Sequence, residues 1–492
     1  MKIEERVACL KERQEPRKNL IELKQELKDE DARKELLAVL QGDYSLFTGL
    51  LEDSEPKVRG NAALILGRLK QDENAGALYQ AYEREPKRFV KSDYLKALAQ
   101  LDCSVYKAQL ENRLVELETY HPTAEEEKHI REELAALRKL VGGGTARTKH
   151  YFQAYDRAWE VILTTGKQYQ QITAEQVREG KVTILKSGVR VYTSHLKSVF
   201  RIPTYRELLF PLEKKKIPGD FKEAAKALAE SNLLEFLYRA HGAKDDFYFR
   251  MSLQSPRPLD QRGLFIKKCS FALEQETGRK LKNSASDYEL EIRLIENRDG
   301  EFLPLVKLYT FREERFAYRK NTVATSIKPE QAALIARLAK PYMTEQAQIL
   351  DPFCGVGTML IERDKVCRTN VMYGIDMFGE AIAKAKENTA LAKKEAYYIN
   401  RDFFEFTHRY RFDEIYTNMP ERGRKSRTEQ DELYAAFFDK AKEVLKEHGR
   451  IIMYSNEKNY VKKQLRLHKE FTLLREFPMD EKDNYYLFVI SY

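Results

Sequence analysis

The chain has 492 residues, which is more than one ordinary hydrophobic core organises and predicts several domains. Hydrophobic residues make up 42% of it and charged residues 33%, and no apolar run approaches the roughly 18 residues of a membrane-spanning helix, so no membrane segment is expected. The formal net charge of +9 is mildly basic for this length, which permits a nucleic-acid partner without requiring one.

The N-terminal sequence and the cysteines bear on the compartment. MKIEERVACLKERQ contains no apolar core of a signal peptide. The five cysteines are scattered without the paired spacing of metal ligands, so neither a disulfide framework nor a zinc site is expected. We therefore expect a cytoplasmic protein that holds no metal.

Helical periodicity dominates the N-terminal part of the chain, from Met1 to about Leu117. Val58–Leu69 and Val90–Leu101 align at an offset of 32 residues, with apolar residues superposed on apolar residues. This alignment resembles HEAT-like helical repeats, although generic amphipathic helices would align in a similar way. We predict an all-α, HEAT-like domain over residues 1–120 that serves as a scaffold for a protein partner.

A helix and a glycine linker are predicted to follow over residues 121–144. Thr123 and Glu126 have the spacing of a capping box, which places the start of the helix. Three consecutive glycines at 142–144 are expected to end it.

Short β-rich runs alternate with helices beyond Thr145, which predicts an α+β domain over residues 145–325. Between Lys181 and Asp220 there are nine Lys or Arg against three Asp or Glu, with aromatic residues among them. Such a face is typical of proteins that grip nucleic-acid phosphates, and a solvated strand surface beside ordinary core aromatics is the alternative. The predicted RNA contacts in this domain are Lys197, Arg201 and Arg206.

The segment Ser255–Leu308 predicts the order strand, helix, strand, strand, with Asn283–Asp287 as the turn before the second strand. NSASDYELEIRLIE, in which a polar turn leads into an alternating strand, and FAYRKNTVATSIKPEQAALIARLA, which follows it, resemble the THUMP-associated RNA methyltransferases. The resemblance covers the C-terminal two thirds of the chain. It implies a THUMP-like, ferredoxin-like RNA-binding middle domain and an enzyme that methylates an exocyclic base nitrogen in tRNA or ribosomal RNA.

The stretch ILDPFCGVGTMLIE predicts a strand, a glycine-containing loop and a helix. The strand ends on Asp351, and the loop contains Gly355 and Gly357, which allow a positive φ and close backbone approach. The helix that begins at Thr358 favours a negatively charged group at its N-terminus.

Several cofactors fit this loop, and two classes are disfavoured. A dinucleotide-binding loop requires a glycine where this chain has Leu360, and no Gly-Lys-Ser/Thr follows for a phosphate loop. A loop that holds the methionine moiety of S-adenosylmethionine remains.

Two further acids are predicted at strand ends in the order that such a site requires. VMYGID supplies Asp376, 25 residues after Asp351, for the ribose hydroxyls. In NRDFF, Asp402 can accept from the adenine amino group and Phe403 can cover the ring. The alternative is that these acids only cap helices or turns. The predicted cofactor-binding residues are Asp351, Phe353, Cys354, Gly355, Gly357, Thr358, Asp376, Met377, Asp402, Phe403 and Asn418.

A fourth strand, FDEIYT, leads into Asn418-Met419-Pro420-Glu421, where aminomethyltransferases carry Asn-Pro-Pro followed by Tyr or Phe. An exocyclic amine is a poor nucleophile, so the site must accept its hydrogens and hold it in line with the methyl group. The Asn418 side chain and the Met419 carbonyl can do both. The predicted catalytic residues are Asn418, Pro420 and Glu421.

This turn departs from the family pattern at two positions. Met419 replaces the first proline and should loosen the turn, and Glu421 brings a carboxylate where an aromatic ring that stacks on the base is expected. Downstream, Arg422 and Arg424 are predicted to meet RNA phosphates. The alternative is a surface turn on a degenerate, inactive enzyme.

A helix and three further strands are predicted to complete a Rossmann-like α/β class I methyltransferase domain over residues 326–492. We therefore expect S-adenosylmethionine-dependent methylation of guanine N2 in structured tRNA or rRNA, with adenine N6 as the alternative base. A catalytically silent RNA-binding or ribosome-assembly protein, and a DNA aminomethyltransferase, are the other hypotheses.

Overall fold

The computed structural model describes residues 3–120, 123, 126–142, 149–480 and 483–492. The chain divides into two compact units, Met1–Lys149 and His150–Tyr492. In the described part of the chain, each hydrophobic cluster is drawn from a single unit.

The first unit is helical, as predicted. Its helices are α1 (Ile3–Lys11), α2 (Pro16–Glu26), α3 (Glu30–Leu40), α4 (Ser45–Gly49), α5 (Pro56–Leu69), α6 (Ala75–Arg84), α7 (Arg88–Leu98), α8 (Lys107–Thr119) and α9 (Glu127–Gly142). Leucines at helical spacing bury one stripe of each longer helix in a shared core.

The two aligned segments form α5 and the region of α7, and these helices pack on each other. Val58 and Val90, which the alignment pairs, are both buried, and so are Leu66 and Leu98. A Cβ at Gly67 would lie 2.6 Å from the Ala97 Cα, so the glycine permits this close approach. The equivalent burial agrees with a repeat, and the HEAT-like assignment stays a prediction.

The predicted capping box is observed in part. The Glu126 carboxylate accepts from the Thr123 backbone N–H at 3.2 Å, and α9 begins at the next residue, Glu127. The linker glycines at 143–144 lie outside the described residues.

The second unit begins with an eight-stranded sheet in the order β2-β3-β1-β4-β8-β7-β5-β6. Its strands are β1 (Trp159–Thr164), β2 (Lys181–Leu185), β3 (Gly188–Thr193), β4 (Leu208–Pro211), β5 (Phe247–Gln254), β6 (Leu281–Asn283), β7 (Leu290–Glu296) and β8 (Phe302–Leu308). The helices in this part are α10 (Gln170–Ala174), α11 (Leu196–Val199), α12 (Phe221–Ala229), α13 (Leu233–His241) and α14 (Leu259–Glu276). The mixture of strands and helices confirms the predicted α+β class.

The predicted element order in Ser255–Leu308 was wrong at its start. The first strand of the pattern, β5, ends at Gln254, and the segment itself begins with α14. Pro256 and Pro258 explain this boundary because proline cannot donate to a strand ladder.

A seven-stranded sheet in the order β11-β10-β9-β12-β13-β15-β14 forms the rest of the second unit. Its strands are β9 (Ala347–Asp351), β10 (Thr369–Asp376), β11 (Tyr397–Asn400), β12 (Phe412–Asn418), β13 (Leu445–Ser455), β14 (Thr472–Asp480) and β15 (Tyr485–Ser491). The helices are α15 (Pro329–Ala339), α16 (Thr358–Val366), α17 (Gly379–Leu391), α18 (Arg427–Val444) and α19 (Lys458–Leu467). Strands β9 to β13 pair in parallel and β15 runs antiparallel, which confirms the predicted Rossmann-like sheet.

The two sheets of the second unit are connected by specific contacts. The Tyr169 hydroxyl, just before α10, donates to the Pro478 carbonyl on β14 at 2.8 Å. In the segment between the sheets, Arg315 donates to the Tyr205 carbonyl at 2.8 Å, and the Tyr318 hydroxyl donates to Glu362 on α16 at 2.8 Å. The RNA-binding candidate domain and the second sheet therefore form one body.

No helix in the described ranges is long and apolar enough to cross a membrane. The same ranges contain no group of His, Cys, Asp or Glu side chains arranged to hold a metal ion. All five cysteines are free thiols.

Candidate active site

The strand order of the second sheet reverses between β9 and β12, and ligands of open α/β sheets bind at such a point. Asp351, Asp376 and Asn418 are the last residues of β9, β10 and β12. Because these strands are parallel neighbours, the three residues lie along one edge of the sheet. The structure thus brings together the predicted candidates from three separate stretches of sequence.

The glycine loop between β9 and α16 is fixed by its backbone. Gly355 and Gly357 have φ of +51° and +80°, the region that favours glycine. The Gly355 N–H donates to the Asp376 carboxylate at 2.9 Å. A Cβ at Gly357 would lie 2.3 Å from the Tyr398 hydroxyl oxygen, whereas a Cβ at Gly355 would project into open space.

Asp351 is fully buried at the base of this loop. One carboxyl oxygen accepts from the Thr417 hydroxyl at 2.7 Å and from the Phe353 N–H at 3.1 Å. The other oxygen is buried and has no hydrogen-bond partner within the described ranges. Burial raises the pKa of Asp351 to about 7, so this carboxyl is poised to ionise beside a positively charged group.

Asp376 already accepts two backbone hydrogen bonds, from Gly355 at one oxygen and from Phe378 at the other, both at 2.9 Å. These bonds fix its orientation and leave further acceptor capacity on each oxygen. Met377 and Phe378, which follow it, are 64% and 67% exposed. Sequence reasoning included Met377 and missed Phe378, whose exposure is the signal of an available aromatic face.

The two predicted adenine contacts, Asp402 and Phe403, lie in different surroundings. Asp402 accepts from the Phe404 N–H at 2.9 Å and caps a short turn. Phe403 is buried and packs edge-on against Phe353 at a centroid distance of 5.8 Å. Its ring is part of the core below the crevice, so a role in covering a ligand ring stays a prediction.

The turn after β12 is anchored more firmly than the sequence predicts. The Met419 N–H donates to the Tyr454 carbonyl at 2.9 Å, a bond that a proline could not make, and the Met419 side chain is buried. The Pro420 carbonyl accepts from the Gln430 side chain at 3.0 Å. The expectation that Met419 loosens this turn was therefore wrong. The Asn418 amide makes no side-chain hydrogen bond to any part of the chain that the structure describes.

Glu421 accepts a hydrogen bond from the Tyr485 hydroxyl across the turn. The Tyr485 ring stacks on Tyr454 at a centroid distance of 4.8 Å and an interplanar angle of 13°. Burial raises the pKa of Tyr485, and the Glu421 carboxylate raises it further, so the hydroxyl stays protonated and donates. Sequence reasoning missed Tyr485 because it lies 64 residues from Glu421.

Arg319 is a second residue that the sequence did not single out. Its guanidinium donates to the Thr358 hydroxyl at 3.3 Å, at the first residue of α16, and to the Ile327 carbonyl at 2.9 Å. Burial lowers the pKa of Arg319. The segment before α15 thus lies against the N-terminal end of the helix that follows the glycine loop.

The basic candidates lie at the surface. Within the described ranges they are exposed and form no ion pair with a carboxylate: Lys197, Arg201, Arg206, Arg422 and Arg424. Of the aromatic residues interleaved with the first three, Tyr205 and Phe210 are buried in the core and Tyr192 is exposed. Two of these aromatic residues are therefore ordinary core residues and not part of a nucleic-acid-binding face.

The pKa of Tyr454, which contacts the Asn418 turn, is shifted by its surroundings. Burial raises the pKa of Tyr454, and the Arg206 guanidinium opposes this shift while Glu421 adds to it.

Comparison with protein families gives a match over the second sheet. Residues 317–479 match the family described as RMKL-like, methyltransferase domain (UPF0020). The C-terminal part of this chain is a methyltransferase domain.

Solved structures agree with this fold. TrmN from Thermus thermophilus is similar at 17% sequence identity and a TM-score of 0.50, over 68% of this chain and 99% of TrmN. A predicted N6-adenine-specific DNA methylase from Listeria monocytogenes str. 4b F2365 is similar at 12% identity and a TM-score of 0.49, over 68% of this chain and 96% of that one. Curated protein sequences gave no significant match.

The cofactor of the methyltransferase domain is S-adenosylmethionine. The residues present fit it: the unpartnered oxygen of Asp351 suits an ammonium group, Asp376 has acceptor capacity for hydroxyls, and the open space at Gly355 admits close approach. When bound, S-adenosylmethionine supplies a methyl group carried on a positively charged sulfur.

Proposed function

We propose that the chain transfers a methyl group from S-adenosylmethionine to an exocyclic base nitrogen of structured RNA, with guanine N2 of tRNA or rRNA as the acceptor. The observation that carries the proposal is the Asn418 side chain. It stands at the carboxyl end of β12 beside Asp351, and its amide makes no hydrogen bond in the described part of the chain. A free carbonyl at this position is what an amine nucleophile requires as an acceptor.

The other residues of the crevice have distinct proposed tasks. The Asp351 carboxylate accepts from the methionine ammonium, and Asp376 accepts from the ribose hydroxyls. Met377 and Asp402 contribute to the adenine pocket. Asn418 accepts an N–H of the base and holds the nitrogen in line with the methyl group.

The RNA assignment is supported by the exposed basic residues of the first sheet's domain and by its resemblance to THUMP modules. Lys197, Arg201 and Arg206 have no carboxylate partner in the described ranges, so their charge is available to phosphates. Arg422 and Arg424, which follow the proposed catalytic turn, are exposed as well. THUMP-like modules would recognise RNA by its shape and its ends.

The helical first unit is proposed as a scaffold that docks a protein. The support is the repeated burial pattern of α5 and α7, since stacked helical pairs commonly present extended binding surfaces.

A catalytically silent RNA-binding protein is the second candidate, and one observation favours it. The carboxylate of Glu421 occupies the position of the family aromatic and is engaged with Tyr485. In that case the protein binds RNA and the cofactor without methyl transfer.

Two measurements test the proposal. Mass spectrometry of nucleosides from RNA and DNA of cells with and without the gene identifies the methylated base. Loss of N2-methylguanosine from an RNA supports the proposal. Loss of a methylated base from DNA alone overturns it. In the second, purified protein is given labelled S-adenosylmethionine and RNA from cells that lack the gene.

Asn418→Ala should abolish the labelled transfer and leave cofactor affinity nearly unchanged, because Asn418 is proposed to face the base. If neither the wild-type protein nor a Glu421→Tyr variant labels any RNA fraction, the silent-binder function replaces the proposed one.

A further inference from the structure

We propose that Tyr485 supplies the aromatic face against which the target base is held, and that Glu421 is the positioning residue for that ring. This inference rests on the proposed function. It assigns the base contact to the C-terminal hairpin, β14–β15, instead of to the turn after β12.

The stack of Tyr454 and Tyr485 has an inner and an outer member. Tyr454 is buried at 7% exposure and packs within the cluster that includes α15 and α16, whereas Tyr485 is partly exposed. The rings are near parallel, with centroids 4.8 Å apart. Tyr485 is therefore the ring that meets solvent and can receive a base on the side away from Tyr454.

Strand register places this ring on the same side of the sheet as Asn418. Asn418 pairs with Tyr454 in the parallel β12–β13 ladder, and Tyr454 pairs with Leu487 in the antiparallel β13–β15 ladder. Tyr485 precedes Leu487 by two residues, so both side chains lie on one face. The acceptor group of Asn418 and the Tyr485 ring thus line the same wall of the crevice.

The hydrogen bond from the Tyr485 hydroxyl to Glu421 connects the hairpin to the catalytic turn. Met419 holds the same turn to Tyr454 through its backbone N–H. The two departures from the family turn therefore have one consequence: they fix the turn to the tyrosine pair. A missing ring in the turn is replaced by a ring from β15, oriented by the residue that stands in the ring's place.

Arg422 follows Glu421 directly and is exposed, so a cation lies one residue from the group that orients the ring. A cation near an aromatic platform suits a nucleotide, since the ring receives the base and the cation receives a phosphate. The arrangement therefore favours a nucleotide over a protein side chain as the occupant.

The test uses the full-length protein, labelled S-adenosylmethionine and RNA from cells that lack the gene. Tyr485→Leu removes the ring and should lower kcat by roughly 10- to 100-fold, because a base loses one stacking partner. Cofactor affinity, measured by calorimetry, should remain within about twofold of the wild-type value. Tyr485→Phe keeps the ring and loses only the hydrogen bond to Glu421, so its kcat should lie between those of Tyr485→Leu and the wild type and should match that of Glu421→Ala.

Two variants of Glu421 test its positioning role, with kcat as the measured quantity. Glu421→Gln keeps an acceptor for the Tyr485 hydroxyl and should stay close to wild type, and Glu421→Ala should resemble a weaker form of Tyr485→Leu. Tyr397→Leu is the matched control, because Tyr397 is an exposed tyrosine at the start of β11, away from the crevice edge. It should leave kcat unchanged.

The outcomes separate this inference from the proposed function. If the wild-type protein methylates RNA and Tyr485→Leu, folded by circular dichroism, retains the wild-type kcat, Tyr485 is not the base platform. A kcat for Tyr485→Phe as low as that of Tyr485→Leu also overturns the inference, since the ring would then contribute nothing. If the wild-type protein labels no RNA, the proposed function fails and this inference fails with it.

Discussion

The proposed contact between the buried Asp351 carboxyl and the cofactor ammonium would make cofactor binding depend on pH. Its pKa is raised to about 7, so at pH 6 most of the free protein carries the protonated carboxyl. An ammonium group binds the ionised carboxyl. At a pH below this pKa, the carboxyl must therefore lose its proton on binding, and the affinity for the cofactor must fall as the pH drops.

We expect S-adenosylmethionine to bind roughly tenfold more weakly at pH 6 than at pH 7.5 and to release close to one proton per molecule bound at pH 6. Calorimetry in two buffers of different ionisation enthalpy measures both quantities. Asp351→Asn is the control and should bind weakly at either pH with no proton release. Equal affinities of the wild-type protein at the two pH values would contradict the assignment.

Asp376 differs from Asp351 because its carboxylate accepts from the glycine loop and is also proposed to accept from the ribose hydroxyls. Asp376→Ala removes the acceptor for Gly355 and for the ribose hydroxyls, each a charge-assisted bond worth about 1.5–3 kcal/mol. Cofactor affinity should fall at least tenfold in Asp376→Ala. The variant's circular dichroism spectrum serves as the folding control, and a folded variant with wild-type affinity would remove Asp376 from the site.

At the level of elements, the glycine loop depends on Tyr398 of β11. Gly357→Ala places a Cβ against the Tyr398 hydroxyl at a positive φ, and should cost about 1–3 kcal/mol of unfolding free energy. Gly355→Ala is the matched control, since it has a positive φ and open space, and should cost only the backbone part, about 1 kcal/mol.

A double-mutant cycle with Tyr398→Phe, measured by urea unfolding, isolates the clash. Removing the hydroxyl should recover part of the stability that Gly357→Ala loses, although the hydroxyl's bond to Thr389 is lost in both backgrounds. Strict additivity of the two substitutions would show that the loop shifts away from Tyr398 instead of colliding with it.

The elements of the second sheet could be predicted because their signals are local. An apolar run that ends on an acid before a glycine pair predicted β9, and VMYGID and FDEIYT predicted β10 and β12, each within a few residues of the observed bounds. A local signal also marks the end of a helix, since α12 and α13 are separated by a break near Ser231. Ser231 explains the break because its hydroxyl competes for the backbone, accepting from the Leu233 N–H.

The candidate site residues also divide into those that a local sequence signal predicts and those that it does not. Asp351, Asp376 and Asn418 end strands and could be found from sequence spacing. Tyr485 and Arg319 reach the crevice only through strand register and through packing of the segment before α15, which no local pattern encodes. The effect of Met419 was misjudged because its partner, the Tyr454 carbonyl, lies on another strand and far along the chain.

At the scale of the molecule, the division at Lys149 predicts an independent fragment. The hydrophobic clusters of His150–Tyr492 contain only residues of that unit, so the fragment should unfold cooperatively without the helical unit. It should also retain most of the RNA affinity of the full chain, measured by filter binding.

The control for that experiment is charge reversal. Lys197→Glu and Arg206→Glu in the full chain should each weaken binding and reduce the salt slope by about one counterion. A folded fragment that binds no RNA bound by the full chain would assign RNA recognition to the helical unit.

The hydrogen bond from Tyr169 to the Pro478 carbonyl helps to hold the two sheets of the second unit at a fixed separation. If RNA is gripped on the first sheet's domain and the base is presented beside Asn418, the separation of those two points is set by packed protein and not by a flexible tether. The nucleotide that is modified would then be chosen by how far it lies from the gripped feature along the RNA fold. Lengthening the RNA helix between the gripped feature and the modified nucleotide by one base pair should move the methylated position. The sequence around that position would be unchanged.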